Sequence, residues 1–173
     1  MSLIQMEHLA RRYAALENRV QQLMDTACSP ACAACPKVCC RPEMCRESLE
    51  SPFLVLVREA KTNRTPWSKQ QGWLGAEGCR LRVGRPPVCY EFLCQAILGK
   101  QPDEKAQTQL KSLTRLLTQA GQRALGGDHL VEIMTMERLA QVKPQRLAAR
   151  LKLAEAKMAD QESFWKSSGG LKR

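Results

Sequence analysis

The sequence predicts a mainly α-helical protein, with a small cysteine-rich core of short helices and loops. An N-terminal amphipathic helix and several C-terminal helices flank this core. Apolar residues recur at helical spacing near both ends of the 173-residue chain, and all nine cysteines and seven of the nine prolines fall between residues 28 and 99. We therefore expect one domain over 1–165, composed of a helical arm (2–27), the cysteine-rich core (28–99) and a helical region (100–165), followed by a flexible tail (166–173).

The arm is predicted to be helical because apolar or small residues follow each other at alternating steps of three and four, which is a heptad seam. The seam consists of Met6, Leu9, Tyr13, Leu16, Val20, Leu23 and Ala27, whereas Glu17 and its charged neighbours lie off it. We favour packing of this seam against the chain's own C-terminal helices. A protein partner, or a homodimer formed through this helix, is the alternative. A membrane-surface helix is disfavoured because both charge signs mix on the polar face.

Within the core, prolines that follow capping residues predict three short helices. Ser51-Pro52 opens a helix from Phe53 to about Lys61, Thr65-Pro66 opens a turn through Gln71, and Pro87 begins a helix Val88–Leu98 that ends at Gly99. The apolar run Phe53–Val57 is also compatible with a buried strand.

The region 100–165 is predicted to hold three helices. The first starts at Pro102-Asp103-Glu104 and ends near Gly126-Gly127, the second is capped by Asp128 and interrupted by Pro144, and the third follows that proline. Their core-facing residues are Leu110, Leu113, Leu117 and Ala120, then Leu130, Ile133, Met134 and Leu139, then Leu147, Leu151, Ala154, Met158 and Trp165, and Met136 is also spaced like a core residue.

The nine cysteines are the main indication of chemistry. No signal peptide or membrane span is recognisable, so a reducing cytoplasm is expected, where clustered thiols favour metal ligation over disulfides. Cys32 and Cys35 form a C-x2-C pair, and six cysteines lie within residues 28–45. The candidate metal ligands are Cys32, Cys35, Cys39, Cys40, Cys79, Cys89, Cys94, Cys45 and Cys28.

Two kinds of centre fit these thiols equally well. Zinc takes four thiolates in a closed tetrahedron, and an iron–sulfur cluster commonly uses a close-spaced trio and one remote cysteine. Adjacent side chains on an extended chain point in opposite directions, so Cys39 and Cys40 suit two separate centres, with a vicinal disulfide or a free thiol as the alternative. On one continuous helix Cys89 and Cys94 would lie about 140° apart and would not share a face.

The run from Gly78 to Cys94 resembles the second half of the YkgJ-like family of cysteine-cluster proteins, which are described as zinc- or iron-chelating domains. The matching positions are Cys79, Leu81, Arg85-Pro86, Cys89, Phe92 and Cys94, and in the first half Cys32, Cys35, Cys39 and Cys40 are similar to the family pattern. The resemblance covers about residues 28–98 and implies a zinc or iron–sulfur centre. The family's cysteine before the Gly-Cys step is absent here, and Cys45 or Cys28 is the candidate replacement.

The net charge of +10 supports another class of function, binding to nucleic acid. Between Lys37 and Arg85 there are ten basic and five acidic residues, with Trp67 and Trp73 among them. A zinc-stabilised nucleic-acid-binding module is therefore one alternative. A cluster- or thiol-dependent oxidoreductase, with Cys32 and Cys35 as an attacking and resolving pair, is a second.

A binding protein is favoured over an enzyme because no phosphate loop, nucleophile elbow or two-histidine metal motif is present. His8 and His129 are expected to be surface or boundary residues. Arg85 either donates hydrogen bonds near the thiolates or is a surface residue before a rigid turn. The predicted function is a cysteine-ligated zinc or iron–sulfur protein with a chelating, electron-transfer or accessory role.

Overall fold

The computed structural model describes residues 2–32, 42–60, 67–75 and 78–168, and the chain is mainly helical as predicted. The described ranges contain α1 (Leu3–Cys32), α2 (Arg46–Glu50), α3 (Pro52–Glu59), α4 (Val88–Glu91), α5 (Gln95–Gly99), α6 (Glu104–Thr114), α7 (Leu116–Gly121), α8 (Met136–Ala140) and α9 (Pro144–Ser167). Short 3-10 turns span Pro42–Cys45 and Leu130–Glu132, and an antiparallel hairpin pairs β1 (Leu74–Gly75) with β2 (Gly78–Cys79).

The N-terminal helix α1 buries its heptad seam inside the chain itself, which confirms the favoured intramolecular packing. Met6, Leu9, Tyr13, Leu16, Val20 and Leu23 are all buried in the main apolar core, and Ala27 is half-buried. The helix begins after Ser2, whose hydroxyl accepts from the Gln5 backbone N–H at 3.3 Å. It continues to Cys32 rather than ending at residue 27, so two of the cysteines belong to this helix.

The long helices α1 and α9 run parallel to each other. Two bidentate ion pairs join them, Arg12 to Glu155 and Arg19 to Glu162, and the second pair lies seven residues further along both helices. The start of α9 therefore lies beside the start of α1, far from the cysteines at the end of α1. Leu147, Leu151, Ala154, Met158 and Trp165 are buried, as predicted.

Residues 166 and 167, which were predicted to belong to the flexible tail, complete α9. The rest of that tail beyond residue 168 lies outside the described residues.

The predicted helix after Ser51-Pro52 is confirmed as α3, and the alternative strand over Phe53–Val57 is wrong. The Ser51 hydroxyl accepts from the Leu54 N–H at 3.5 Å, and Phe53, Leu54 and Val57 are buried. The Thr65-Pro66 cap lies outside the described residues. Residues 67–71 form a turn closed by an antiparallel bridge between Ser68 and Gly72, so the predicted helical turn is wrong there.

The single helix predicted from Val88 to Leu98 is also wrong. It is divided into α4 and α5 by an extended segment at 92–94, with ψ of 104° at Phe92 and 165° at Cys94. Gly99 is the last residue of α5 rather than its C-terminal cap.

The C-terminal region starts as predicted and then departs from the prediction. Asp103 caps α6 by accepting from Ala106 N–H at 2.7 Å, but the helix is interrupted at Arg115, and α7 ends at Gly121 rather than near Gly126.

His129, rather than Asp128, caps a 3-10 turn, and a separate cap at Thr135 begins α8. Met134 and Met136 are exposed, so their predicted core positions are wrong, whereas that of Met158 is confirmed.

Candidate metal centre

The six cysteines in the described ranges lie on five different parts of the fold. Cys28 and Cys32 lie in the last turns of α1, Cys45 ends the first 3-10 turn, Cys79 lies in β2, Cys89 in α4, and Cys94 directly before α5. The other three predicted ligands, Cys35, Cys39 and Cys40, lie outside the described residues, and so does part of the C-x2-C pair.

Three thiols lie where the end of α1 meets the start of α5, close enough for Cys32 and Cys94 to affect the pKa of Cys28, but they are not placed to hold a metal ion by themselves. Cys28 and Cys32 are one helical turn apart and therefore share a face of α1. The helix α5 packs on α1, and a Gln101 side-chain N–H donates to the Ala27 carbonyl at 3.2 Å. Burial raises the pKa of the Cys28 thiol to about 12, and the neighbouring Cys32, Asp25 and Cys94 raise it further. We call Cys28, Cys32 and Cys94 the helix-end group.

A second group lies against the hairpin. Cys45 is buried in a small apolar cluster with Trp73 and Leu81, and Cys79 packs against the same cluster. Gly72 approaches Cys45 closely: its φ is +60°, and a Cβ there would come within 2.9 Å of the Cys45 Sγ. We call Cys45 and Cys79 the hairpin group. Cys89 is exposed and, because the helix is broken at 92–94, does not share a helix with Cys94.

The aromatic residues of the predicted nucleic-acid surface belong to the packing of the hairpin. Trp67 and Trp73 form an edge-to-face pair with ring centroids 4.6 Å apart, and the guanidinium of Arg58 lies 5.2 Å from the Trp73 ring centroid. Trp73 is only 2% exposed, so its ring is not available to stack on a base.

A carboxylate that the sequence placed off the apolar seam joins α1 to the cysteine-bearing segment 79–94. The Glu17 carboxylate is 0% exposed and accepts three hydrogen bonds. Its Oε2 accepts from the Gly84 N–H at 2.7 Å, and its Oε1 accepts from the Arg85 N–H at 2.9 Å and from the Tyr90 hydroxyl at 2.8 Å. Glu17 lies one turn after Tyr13, beside the seam, which is the signal that could have revealed its burial.

Burial raises the pKa of Glu17 from its ordinary 4.5 to about 7. The two backbone donors, the Tyr90 hydroxyl and the positive charge of Arg85 oppose this change without cancelling it. Burial also raises the pKa values of Tyr90 and Tyr13 well above their usual range, so both phenols are neutral. The Tyr13 hydroxyl is buried without a hydrogen-bond partner in the described part of the chain.

Arg85 is half-buried rather than a free surface residue. Its Nε donates to the Leu81 carbonyl at 2.7 Å, and another guanidinium N–H donates to the Cys79 carbonyl at 3.0 Å. Its donors reach the backbone near the hairpin group, and none of these hydrogen bonds goes to a sulfur atom.

The two histidines are placed as expected, at the surface or at an element boundary. His8 is exposed. His129 caps the second 3-10 turn: its Nδ1 accepts from the Val131 N–H at 3.3 Å, so its Nε2 donates to the Thr118 carbonyl at 3.0 Å. Burial lowers the pKa of His129, which keeps the ring neutral.

The described residues alone do not assemble a complete metal site. Among them, no group of three or more histidine, cysteine, aspartate or glutamate side chains is placed to hold a metal ion. A closed zinc site takes four ligands, so each group would need further thiols, from the segment 33–41 or from Cys89. The chain supplies suitable donors for zinc or an iron–sulfur cluster, because three further thiols lie between Cys32 and Cys45 in sequence.

Comparisons of the chain with protein-family models, with curated proteins and with solved structures find no match. The resemblance to the YkgJ-like family over residues 28–98 therefore stays a prediction. None of the described helices is both long enough and apolar enough to cross a bilayer.

Proposed function

We propose that this chain binds zinc or an iron–sulfur cluster through cysteine thiolates, and that it acts as a chelating, electron-transfer or accessory protein. The observation that carries the proposal is the position of the helix-end group and the hairpin group along the chain. The segment 33–41, with Cys35, Cys39 and Cys40, follows Cys32 of the first group directly and ends shortly before Cys45 of the second. The resemblance to a metal-chelating family supports the same conclusion.

All nine cysteines are candidate ligands, and the two groups supply different anchors. The helix-end group would contribute ligands to a centre at the end of α1, and the hairpin group would contribute ligands to one beside the hairpin. Cys89 lies between Cys79 and Cys94 in sequence and is a candidate ligand for either centre. When bound, zinc would stabilise the loop-rich core, and a cluster would supply one-electron chemistry. Cys28 must lose its proton to bind a metal, and its raised pKa opposes this until a cation is present.

Single substitutions test whether both groups hold metal. Cys28→Ser and Cys45→Ser should each lower the metal-to-protein ratio after anaerobic purification, because each removes a thiolate from a different group. Ala31→Ser is the matched control: it introduces a hydroxyl at a buried site on the same helix and leaves every thiol in place. Unchanged metal content in both cysteine variants would contradict ligation by these two groups.

A second candidate function is nucleic-acid binding, and a cluster of arginines favours it. Arg146 and Arg150 are one turn apart near the start of α9, and Arg123 follows α7, which packs against α9. Burial, and then the charges of Arg146 and Arg123, lower the pKa of Arg150. In the described part of the chain none of the three forms an ion pair. This cluster is a second candidate contact for phosphates, beside the basic segment that carries the exposed Trp67.

The nucleic-acid proposal requires binding that weakens steeply with salt. A variant with all three clustered arginines changed to alanine should lose most of its affinity for a labelled oligonucleotide at low salt. A variant with Arg12, Arg19 and Arg46 changed to alanine removes the same charge elsewhere and should bind as the wild type does. Equal losses in the two variants would indicate an effect of net charge alone, and no retention of the wild type would exclude this function.

A further inference from the structure

The buried carboxylate of Glu17 has no part in the proposed ligand set, yet all three of its hydrogen-bond donors belong to the segment that carries Cys79, Cys89 and Cys94. These donors lie 67, 68 and 73 residues away from Glu17 in sequence. A carboxylate without exposure to water is retained only where donors satisfy it, so removing it would leave three buried donors unpaired.

Two short paths lead from Glu17 to cysteines. Through Arg85, whose backbone N–H is bonded to Glu17, the guanidinium reaches the carbonyl of Cys79 at 3.0 Å. Through Tyr90, whose hydroxyl is bonded to Glu17, the carboxylate fixes the residue that directly follows Cys89 on α4. Arg85 therefore links the carboxylate to the backbone of Cys79, and Tyr90 links it to the residue next to Cys89.

The turn that Glu17 binds is also enclosed from the opposite side by α3. Gly84 has φ +83°, and a Cβ there would lie 2.3 Å from the Cγ of Arg58 and 3.0 Å from the carbonyl oxygen of Leu54. Only glycine fits both the backbone conformation and the space. The turn at residues 83–85 is thus held between α1 and α3, and Glu17 supplies its polar contacts on the α1 side.

We propose that Glu17 is a positioning residue for the cysteines of the segment 79–94: its carboxylate fixes the turn at 83–85 on α1 and thereby sets where Cys79 and Cys89 lie relative to that helix. This inference rests on the proposed metal-binding function. Glu17 itself ligates no metal; it acts through Arg85 and Tyr90.

The test compares Glu17→Ala with Glu155→Ala. The second substitution is the control, because it also removes a glutamate but takes it from a half-exposed ion pair on α9. In Glu17→Ala, the backbone amides of Gly84 and Arg85 should exchange hydrogen at least about tenfold faster, and metal should transfer to a chelator at least about tenfold faster. Glu155→Ala should match the wild type in both. Tyr90→Phe removes one donor only and should give a smaller change of the same sign, which keeps the test open if Glu17→Ala does not fold.

Leu147→Ala distinguishes a purely structural effect, because it lowers global stability at the start of α9, at the opposite end of α1 from Cys28 and Cys32. If Leu147→Ala speeds metal transfer and exchange at Gly84 as much as Glu17→Ala does, the positioning role is refuted. Unchanged exchange and metal transfer in Glu17→Ala would refute it too.

If the wild type binds no metal, the proposed function fails, and alkylation of Cys79 in reduced, metal-free protein then decides the positioning role. Faster alkylation in Glu17→Ala than in Leu147→Ala would support it, and equal rates would overturn it.

Discussion

The burial of Glu17 predicts a stability change with pH that can be isolated by one substitution. The pKa of this carboxyl rises from 4.5 to about 7 on folding. Between these two values the folded protein holds a proton that the unfolded chain releases, so stability falls as pH rises through this range and the full cost is present above pH 7. Each tenfold change in proton affinity is worth about 1.4 kcal/mol, so ionised Glu17 costs about 3 kcal/mol of stability at pH 8.

Denaturant unfolding of the wild type and of Glu17→Gln, measured from pH 4.5 to pH 8, tests this magnitude. Other groups also titrate. Burial raises the pKa values of Asp25 and Glu47, so these groups also lower stability as pH rises. Burial lowers the pKa of His129, so this residue raises stability as pH rises. Subtracting the Glu17→Gln curve removes these contributions, since both proteins share them. The difference should fall by about 3 kcal/mol from the acid to the alkaline end. Parallel curves would show that Glu17 keeps an ordinary pKa and would refute the reasoning.

Three further substitutions test the packing around the site. Gly84→Ala should destabilise the protein by roughly 1–3 kcal/mol in denaturant unfolding, because a Cβ meets Arg58 and the φ is positive, whereas Gly99→Ala, with open space around it, should not. Ser51→Ala should cost about 1 kcal/mol through loss of the α3 cap, and an equal melting temperature would contradict that capping role. Arg19→Ala should cost under about 1 kcal/mol and less in high salt, since its ion pair is half-exposed; a loss that does not depend on salt would contradict this.

The elements that the sequence predicts correctly are those fixed by neighbouring residues. Ser51 and Pro52 place a cap and a first-turn proline together, Asp103 accepts from the amide three residues on, and Pro144 begins α9. Each of these signals acts within one turn of helix, so it does not depend on the rest of the fold.

The errors arise where contacts distant in sequence override local preference. Tyr90 is bonded to Glu17 and Glu91 to Thr118 on α7, which fixes α4 independently of α5, so the helix predicted from Val88 to Leu98 does not form. His129 packs on Gly121, where a Cβ would lie 2.4 Å from the ring, and its bond to the Thr118 carbonyl helps to end α7 well before the glycine pair.

The candidate site shows the same division. The proximity of Cys28 and Cys32 follows from their spacing on α1. The approach of Cys94 to them depends on how α5 packs. The packing of Cys45 and Cys79 in one cluster depends on the hairpin. Glu17 looked like a polar residue off the seam, because the donors that make its burial tolerable come from residues far along the chain. Its position beside the seam is a local signal of burial, but no local pattern predicts which donors satisfy it.

The most direct test of the central claim, that the cysteines hold a metal centre, is elemental and sulfide analysis of the full chain purified without oxygen, read together with its visible spectrum. We expect a stoichiometric metal: iron with acid-labile sulfide in a brown protein, or zinc in a colourless one. Neither metal in stoichiometric amount, with all thiols reactive in the folded protein, would contradict it.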